Sequence, residues 1–190
     1  MIHLAVARVV EELNRYLELR APTLTPPRAV ADSLFDIEGK PKVAAAEKVV
    51  VSLVNVEQDR VYRSIDPFER PSEGATTAHF VRPEININLY LLFIANLSDY
   101  DEAMKAVTYV ISFFQRGSIF PISDPDWDSD QEVRMSLELF TLSFEQQNHL
   151  WGALGSKFMP SVLYKAGLLK VRDTQVEADV GLVEEILVNE

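Results

Sequence analysis

The sequence predicts an α+β fold: a single domain with a mostly antiparallel sheet covered by helices. Three observations carry this. Apolar residues recur at helical spacing over 2–20, 99–117 and 143–155. They alternate with polar residues over 84–95 and 133–139. No internal repeat, low-complexity tract or interdomain linker divides the chain. With 190 residues, 47% of them hydrophobic and 25% charged, it can bury a core without staples.

The first helix spans 2–20. Ile2, Val6, Val9, Val10, Leu13, Tyr16 and Leu17 share one face, and Pro22 with Pro26-Pro27 ends it in a loop. Leu34–Ile37 fits a short strand and Glu38–Pro41 a turn. Val49–Glu57 is β-branched and almost continuously apolar, which predicts a strand covered on both faces. Gln58–Pro83 is a long polar connection carrying Arg60, Arg63, Arg70 and Arg82, four candidate partner contacts.

In the strand Glu84–Ala95, Ile85, Ile87, Leu89, Leu91 and Phe93 alternate with Asn86, Asn88 and Tyr90. Asp99 caps the next helix, with Glu102 as its capping-box partner, a buried stripe of Ala103, Val107, Val110, Ile111 and Phe114, and Gly117 at its end. After the acidic loop 124–130, Val133, Met135, Leu137 and Leu139 form the cleanest strand. Ser143 and Gln146 form a capping box for a helix whose Leu150, Trp151 and Leu154 point inward, and Gly155 closes it. Pro160 precedes a strand over Val162–Arg172 that contains Tyr164. Residues 174–190 hold Val180, Leu182, Val183, Ile186 and Leu187 among acids, a pattern that fits a short helix or strand. These apolar residues are candidate partner contacts, while Leu150, Trp151, Leu154 and Tyr164 are expected to be structural core. The expected division is a domain over 1–175 and a tail or arm over 176–190.

Charge narrows the function. The net charge is −11, which disfavours binding to phosphate backbones. The excess is concentrated in residues 96–190, with 7 basic against 16 acidic residues, a surface suited to a basic partner. Having no cysteine excludes disulfides, thiolate catalysis and thiolate-ligated metals. The longest apolar run, Leu89–Ala95, has seven residues, against the ~20 needed to cross a bilayer. Arg8, Glu11 and Glu12 interrupt any signal-peptide core.

Motifs for chemistry are missing. Asp124, Asp126, Asp128 and Asp130 suggest calcium, but an EF-hand needs glycine at position 6 and glutamate at position 12. Starting from Asp124, those positions are Ser129 and Met135; from Asp126, they are Gln131 and Leu137. His3, His79 and His149 match no zinc spacing. Ser161 with Lys165 lacks the serine–lysine spacing, and no nucleophile elbow, P-loop or dinucleotide fingerprint occurs. No metal, cofactor or catalytic residue is therefore expected.

Two stretches, Val51–Asp59 and Leu137–Lys165, carry a resemblance. Asn88–Ile94, Tyr100–Met104 and the helix opening at Met1-Ile2 fit it too. The sequence resembles the cap, or tube-terminator, family of bacterial contractile injection systems over roughly residues 1–175. The most specific part is Leu150-Trp151 followed by Pro160-Ser161 and Tyr164.

The resemblance implies a structural protein with a fold like contractile-phage tail terminators. Its expected partners are further copies in a hexameric ring, the inner tube protein and the sheath protein. Such a ring stops tube growth and holds the last sheath layer. The expected place is a phage-tail-like particle assembled in the bacterial cytoplasm and then released or membrane-anchored, with no nucleic-acid partner or direct membrane insertion. Some relatives carry a further C-terminal domain; the chain stops at Glu190, so functions housed there are expected to be absent. The competing reading is a small-ligand or metal-binding regulatory module using loop 124–130, which a calorimetric calcium titration would separate from the first.

Overall fold

The computed structural model describes residues 1–59, 68–69, 77–80, 85–122, 133–171 and 178–181. It opens with helix α1, Ile2–Arg20, whose buried stripe is Ala5, Val6, Val9, Leu13 and Leu17. On its other face Arg8 and Arg15 share Glu11 and Glu12 at 2.7–3.2 Å. Strand β1, Ala29–Ala31, follows and runs parallel to β2, Lys48–Gln58. The sequence gives no signal for β1, because three small apolar residues are too few to show a period. The amide of Asn14 donates to the Ala29 carbonyl at 2.7 Å and accepts from its N–H at 2.9 Å. It thus imitates a neighbouring peptide group and pins α1 to the edge strand.

Two expectations in this region are corrected. Leu34–Ile37 is not a strand: only Phe35 and Pro41 form a bridge. Asp36 organises a turn instead, accepting from the N–H groups of Glu38 and Lys40 at 2.9 and 2.8 Å, with Gly39 at φ +79°. Strand β2 is covered on both faces only over Val49–Ser52. Beyond Ser52, β2 exposes Leu53 and Val56.

Strand β5, Ile85–Asn96, lies between β2 and β8, Ser161–Val171. Here β3 and β4 denote Phe68–Glu69 and Thr77–Phe80 in the intervening connection. Residues on both faces of β5 are buried, and Asn86 and Asn88 are inside rather than on a polar outer face. A Cβ on Gly167 would stand 3.3 Å from the Asn88 Oδ1, so glycine on β8 leaves room for that side chain.

Helix α2 is Tyr100–Arg116, capped by Asp99, which accepts from the Glu102 N–H at 2.9 Å. Glu102 turns its carboxylate to Lys105 and Thr23, so the reciprocal half of the expected box is absent. The buried stripe is Ala103, Ala106, Val110, Phe113 and Phe114; Val107 and Ile111 are half-buried. The stripe is rotated toward α1, where Phe113 meets Tyr16 with ring centroids 5.5 Å apart.

Strand β6, Ile119–Ile122, and β7, Val133–Phe140, pair antiparallel, as do β7 and β8. Helix α3, Phe144–Ala153, has the full Ser143–Gln146 capping box, and Gly155 adopts φ +66° just beyond it. The six-stranded mixed, mostly antiparallel sheet has the order β1-β2-β5-β8-β7-β6.

Alternation along β5 divides the core in two. Phe93 faces α2, its ring 5.2 Å from Phe114 and 5.7 Å from Tyr164. Its neighbours Leu92 and Ile94 face the other way and pack with Val50, Leu163, Leu34, Ala45 and Trp151 of α3. The expected α+β architecture therefore holds, with helices on both faces of one sheet.

The chain separates into two compact units. The first, Met1–Glu57 with Asn88–Leu169, contains the three helices and the larger sheet except for the ends of β2, β5 and β8. The second draws on Gln58–Ile87 and Lys170–Glu190, so the expected tail, 176–190, is grouped with the long connection. Its described core is a three-stranded antiparallel sheet, β3-β4-β9, where β9 is Ala178–Gly181.

Candidate interaction surfaces

The described residues present two grooves and the edges of the larger sheet. No group of three His, Asp or Glu among them could hold a metal ion. His3 and His149 are exposed, and the acidic loop 124–130 lies outside the described residues. No helix is long and apolar enough to cross a membrane among the residues described.

Ionisation follows the same pattern. Asp32 is held below the usual carboxylate range chiefly by its hydrogen bond from Lys42. Glu102 is lowered by Lys105 and then by Thr23. Burial raises the Tyr164 phenol. The Tyr90 hydroxyl donates to Glu57 Oε2 at 2.6 Å, and this bond, with burial, pushes its pKa up to about 12. None of these shifted groups is moved toward neutrality, where general acid–base catalysis operates.

The Tyr90–Glu57 pair is completed by Lys165, 3.7 Å from the same carboxylate oxygen and 5.8 Å from the Tyr90 ring centre. It ties β2, β5 and β8 together where the cover of α3 ends. A raised phenol pKa favours the folded state below the unfolded value, near 10, and that contribution is lost as pH rises through about 12. Glu57→Gln should lower the ionisation pH of Tyr90. An absorbance titration, with Tyr90→Phe identifying the component, measures this; an unmoved titration would refute the assignment to Glu57.

Each edge of the six-stranded sheet has one backbone position unavailable to an added strand. Asn14 occupies β1 at Ala29, and Pro121 deprives β6 of an N–H. Two grooves flank the sheet. One, of about 820 Å³, lies beside β1 and is lined by Ile2, Val6, Leu34, Phe35, Leu53 and Leu154 among others. The other, of about 510 Å³, lies between α1 and the α2–β6 junction.

Of the expected contacts, Arg60, Arg63, Arg70, Arg82, Leu182, Val183, Ile186 and Leu187 lie outside the described residues. Val180 lies in β9 opposite Ala78 of β4. Trp151 and Tyr164 are buried at 5% and 3% exposure, and Leu150 and Leu154 are half-buried against the Trp151 cluster. The α1–β6 groove escaped the sequence reading. Leu19 falls outside the apolar stripe of α1, and Ile119–Ile122 is an apolar stretch outside every predicted element; these are its signal in the sequence.

These features describe an α+β domain with helices on both faces of its larger sheet. A family model described as the Pvc16 N-terminal domain matches residues 7–185, and the chain belongs to that family. The family resemblance read from Leu137–Lys165 agrees with that match. Two solved structures share the fold. The sheath/tube terminator of the extracellular contractile injection system PVC, in its extended state, superposes at TM-score 0.55 with 13% identity, covering 95% of this chain and 62% of that one. The anti-feeding prophage cap, described as the AFP tube terminating cap, superposes at TM-score 0.51 with 14% identity, covering 94% of this chain and 60% of that one. The chain thus spans about three-fifths of the length of each. No functionally curated protein matches it.

Proposed function

We propose that this chain caps the tube of a contractile injection system. It forms a closed hexameric ring on the last tube layer, ends tube growth and anchors the last sheath layer. The observation that carries this is family membership over residues 7–185, supported by a fold shared with a sheath/tube terminator and a tube-terminating cap.

The partners are other copies of the chain, the tube and the sheath. A ring requires each copy to present two different complementary patches. The strongly acidic C-terminal half supplies one sign of charge. The arginines Arg60, Arg63, Arg70 and Arg82, and the apolar residues of 176–190 as an arm, are further contacts of the assembly.

A tagged copy expressed with tube and sheath proteins should decorate one end of each particle in electron micrographs. Label spread along the sheath, or absent from purified particles, would refute the capping role.

A further inference from the structure

We propose that the turn Asp36–Lys40 of one copy docks into the groove between α1 and the α2–β6 junction of a second copy, Ile37 entering beside Leu19 and Ile119 and Glu38 meeting Arg116. The proposal rests on the ring reading above and assigns that ring one specific contact.

The turn holds an apolar tip rigidly. The Asp36 carboxylate accepts from the N–H groups of Glu38 and Lys40. The N–H groups of Asp36 and Gly39 donate to the Lys40 and Asp36 carbonyls at 2.9 and 3.1 Å. At its base the Lys42 N–H donates to the Leu34 carbonyl at 3.0 Å, and Phe35 bridges Pro41. Leu34 anchors that base in the Trp151 cluster. Ile37, at the tip, is fully exposed and buries nothing in its own fold. A preorganised apolar tip loses little conformational freedom when it docks.

The groove offers matching surface. Leu19 is 82% and Ile119 64% exposed, and Phe113 lines the same groove. Arg8 and Arg15 are answered by Glu11 and Glu12, whereas Arg116 has no ion pair among the described residues. The turn carries Asp36 and Glu38 against Lys40 alone, and Glu38 directly follows Ile37. Opposite charge at such a contact guides encounter and fixes register. The groove beside β1 fits the turn less well, because Asp32 and Asp36 line it and no lysine or arginine does.

Turn and groove are separate patches of one chain. The turn follows β1, at one edge of the six-stranded sheet, and its base packs with Leu92 and Ile94 on the face covered by α3. The groove includes β6, at the other edge, and is walled by α1 and by Phe113 of α2. Five strand spacings of about 4.8 Å separate the edges by roughly 24 Å. The anchored turn therefore cannot reach its own groove. Two different patches at opposite edges are what a head-to-tail closed ring needs.

The lack of cysteine makes a disulfide test clean. Chains of all 190 residues carrying Leu19→Cys or Ile37→Cys, with different tags, are mixed with tube and oxidised. The expected product is a mixed disulfide between the two chains. Adding Arg116→Glu to the first chain should lower its yield at least about tenfold, and adding Glu38→Arg to the second should restore it. Arg116 and Glu38 are exposed, so thermal melts of these variants should be unmoved. No mixed disulfide, or a yield unchanged by Arg116→Glu, would overturn the proposal. So would a preferred disulfide from Ile37→Cys to Leu53→Cys in the other groove, or one closing within a single Leu19→Cys/Ile37→Cys chain. Micrographs of the same samples separate the two readings: capped tube ends without the mixed disulfide refute this contact alone, whereas bare tube ends refute the cap itself.

Discussion

Replacing Trp151 by alanine should destabilise the first compact unit by about 3–5 kcal/mol. Trp151 is the one buried residue of α3 and lies among Leu34, Ala45, Val50, Leu92, Ile94 and Leu163. Its ring also meets Phe158 edge-on, with centroids 5.6 Å apart. Truncation leaves a cavity where loop, sheet and helix meet. It also frees a helix of ten residues, too short to persist alone in water. Denaturant melts should therefore lose midpoint, and far-ultraviolet circular dichroism should lose helix signal. Trp151→Phe should keep most of the stability. A loss under ~1 kcal/mol for the alanine variant would contradict the core role and make Trp151 a candidate partner contact.

The opposite face of the sheet should be as sensitive. Phe93→Ala should cost about 3–5 kcal/mol, a large share of the 5–15 kcal/mol typical of a whole domain. Phe93 is 1% exposed on a central strand. Its ring meets Phe114 at 71° and Tyr164 at 85°, and those two rings stand 4.2 Å apart. Edge-to-face contacts of this kind add about 0.5–1.5 kcal/mol beyond area burial. A double-mutant cycle between Phe93→Ala and Phe114→Ala should therefore show coupling of that order. Strictly additive losses would mean that the rings are neighbours without a specific geometry.

How much was readable in the sequence depends on how local each signal is. Helix α1, the Ser143–Gln146 box and strands β7 and β8 were legible, because period, cap and alternation lie within a few residues. Strands β1 and β6 were not. Each has three or four residues, and β6 contains Pro121, which argues against a strand except at an edge. The burial of Asn86 and Asn88 was illegible for another reason. Their pattern indicates a half-exposed strand, and the second face of β5 is covered only by elements distant in sequence, such as α3 over Leu92 and Ile94. The pairing of β9 with β4 joins segments about a hundred residues apart, so neither the tail nor the connection showed that they share a sheet.

The interaction surfaces were harder to read than the fold. A groove is made by side chains distant in sequence, as Arg15 and Arg116 illustrate. Motif searching finds constellations fixed by local spacing, and a docking face has none. Family resemblance carries the proposed function because it draws on the whole chain at once.

The capping role is tested most directly by particle length. Tube and sheath proteins are assembled with and without this chain, and the particles are measured by electron microscopy. With the chain present, tubes should stop at a defined length with the sheath held at their end. Without it, tubes should overrun or vary in length and sheaths should detach. Particles of normal length and stability formed in its absence would contradict the proposal.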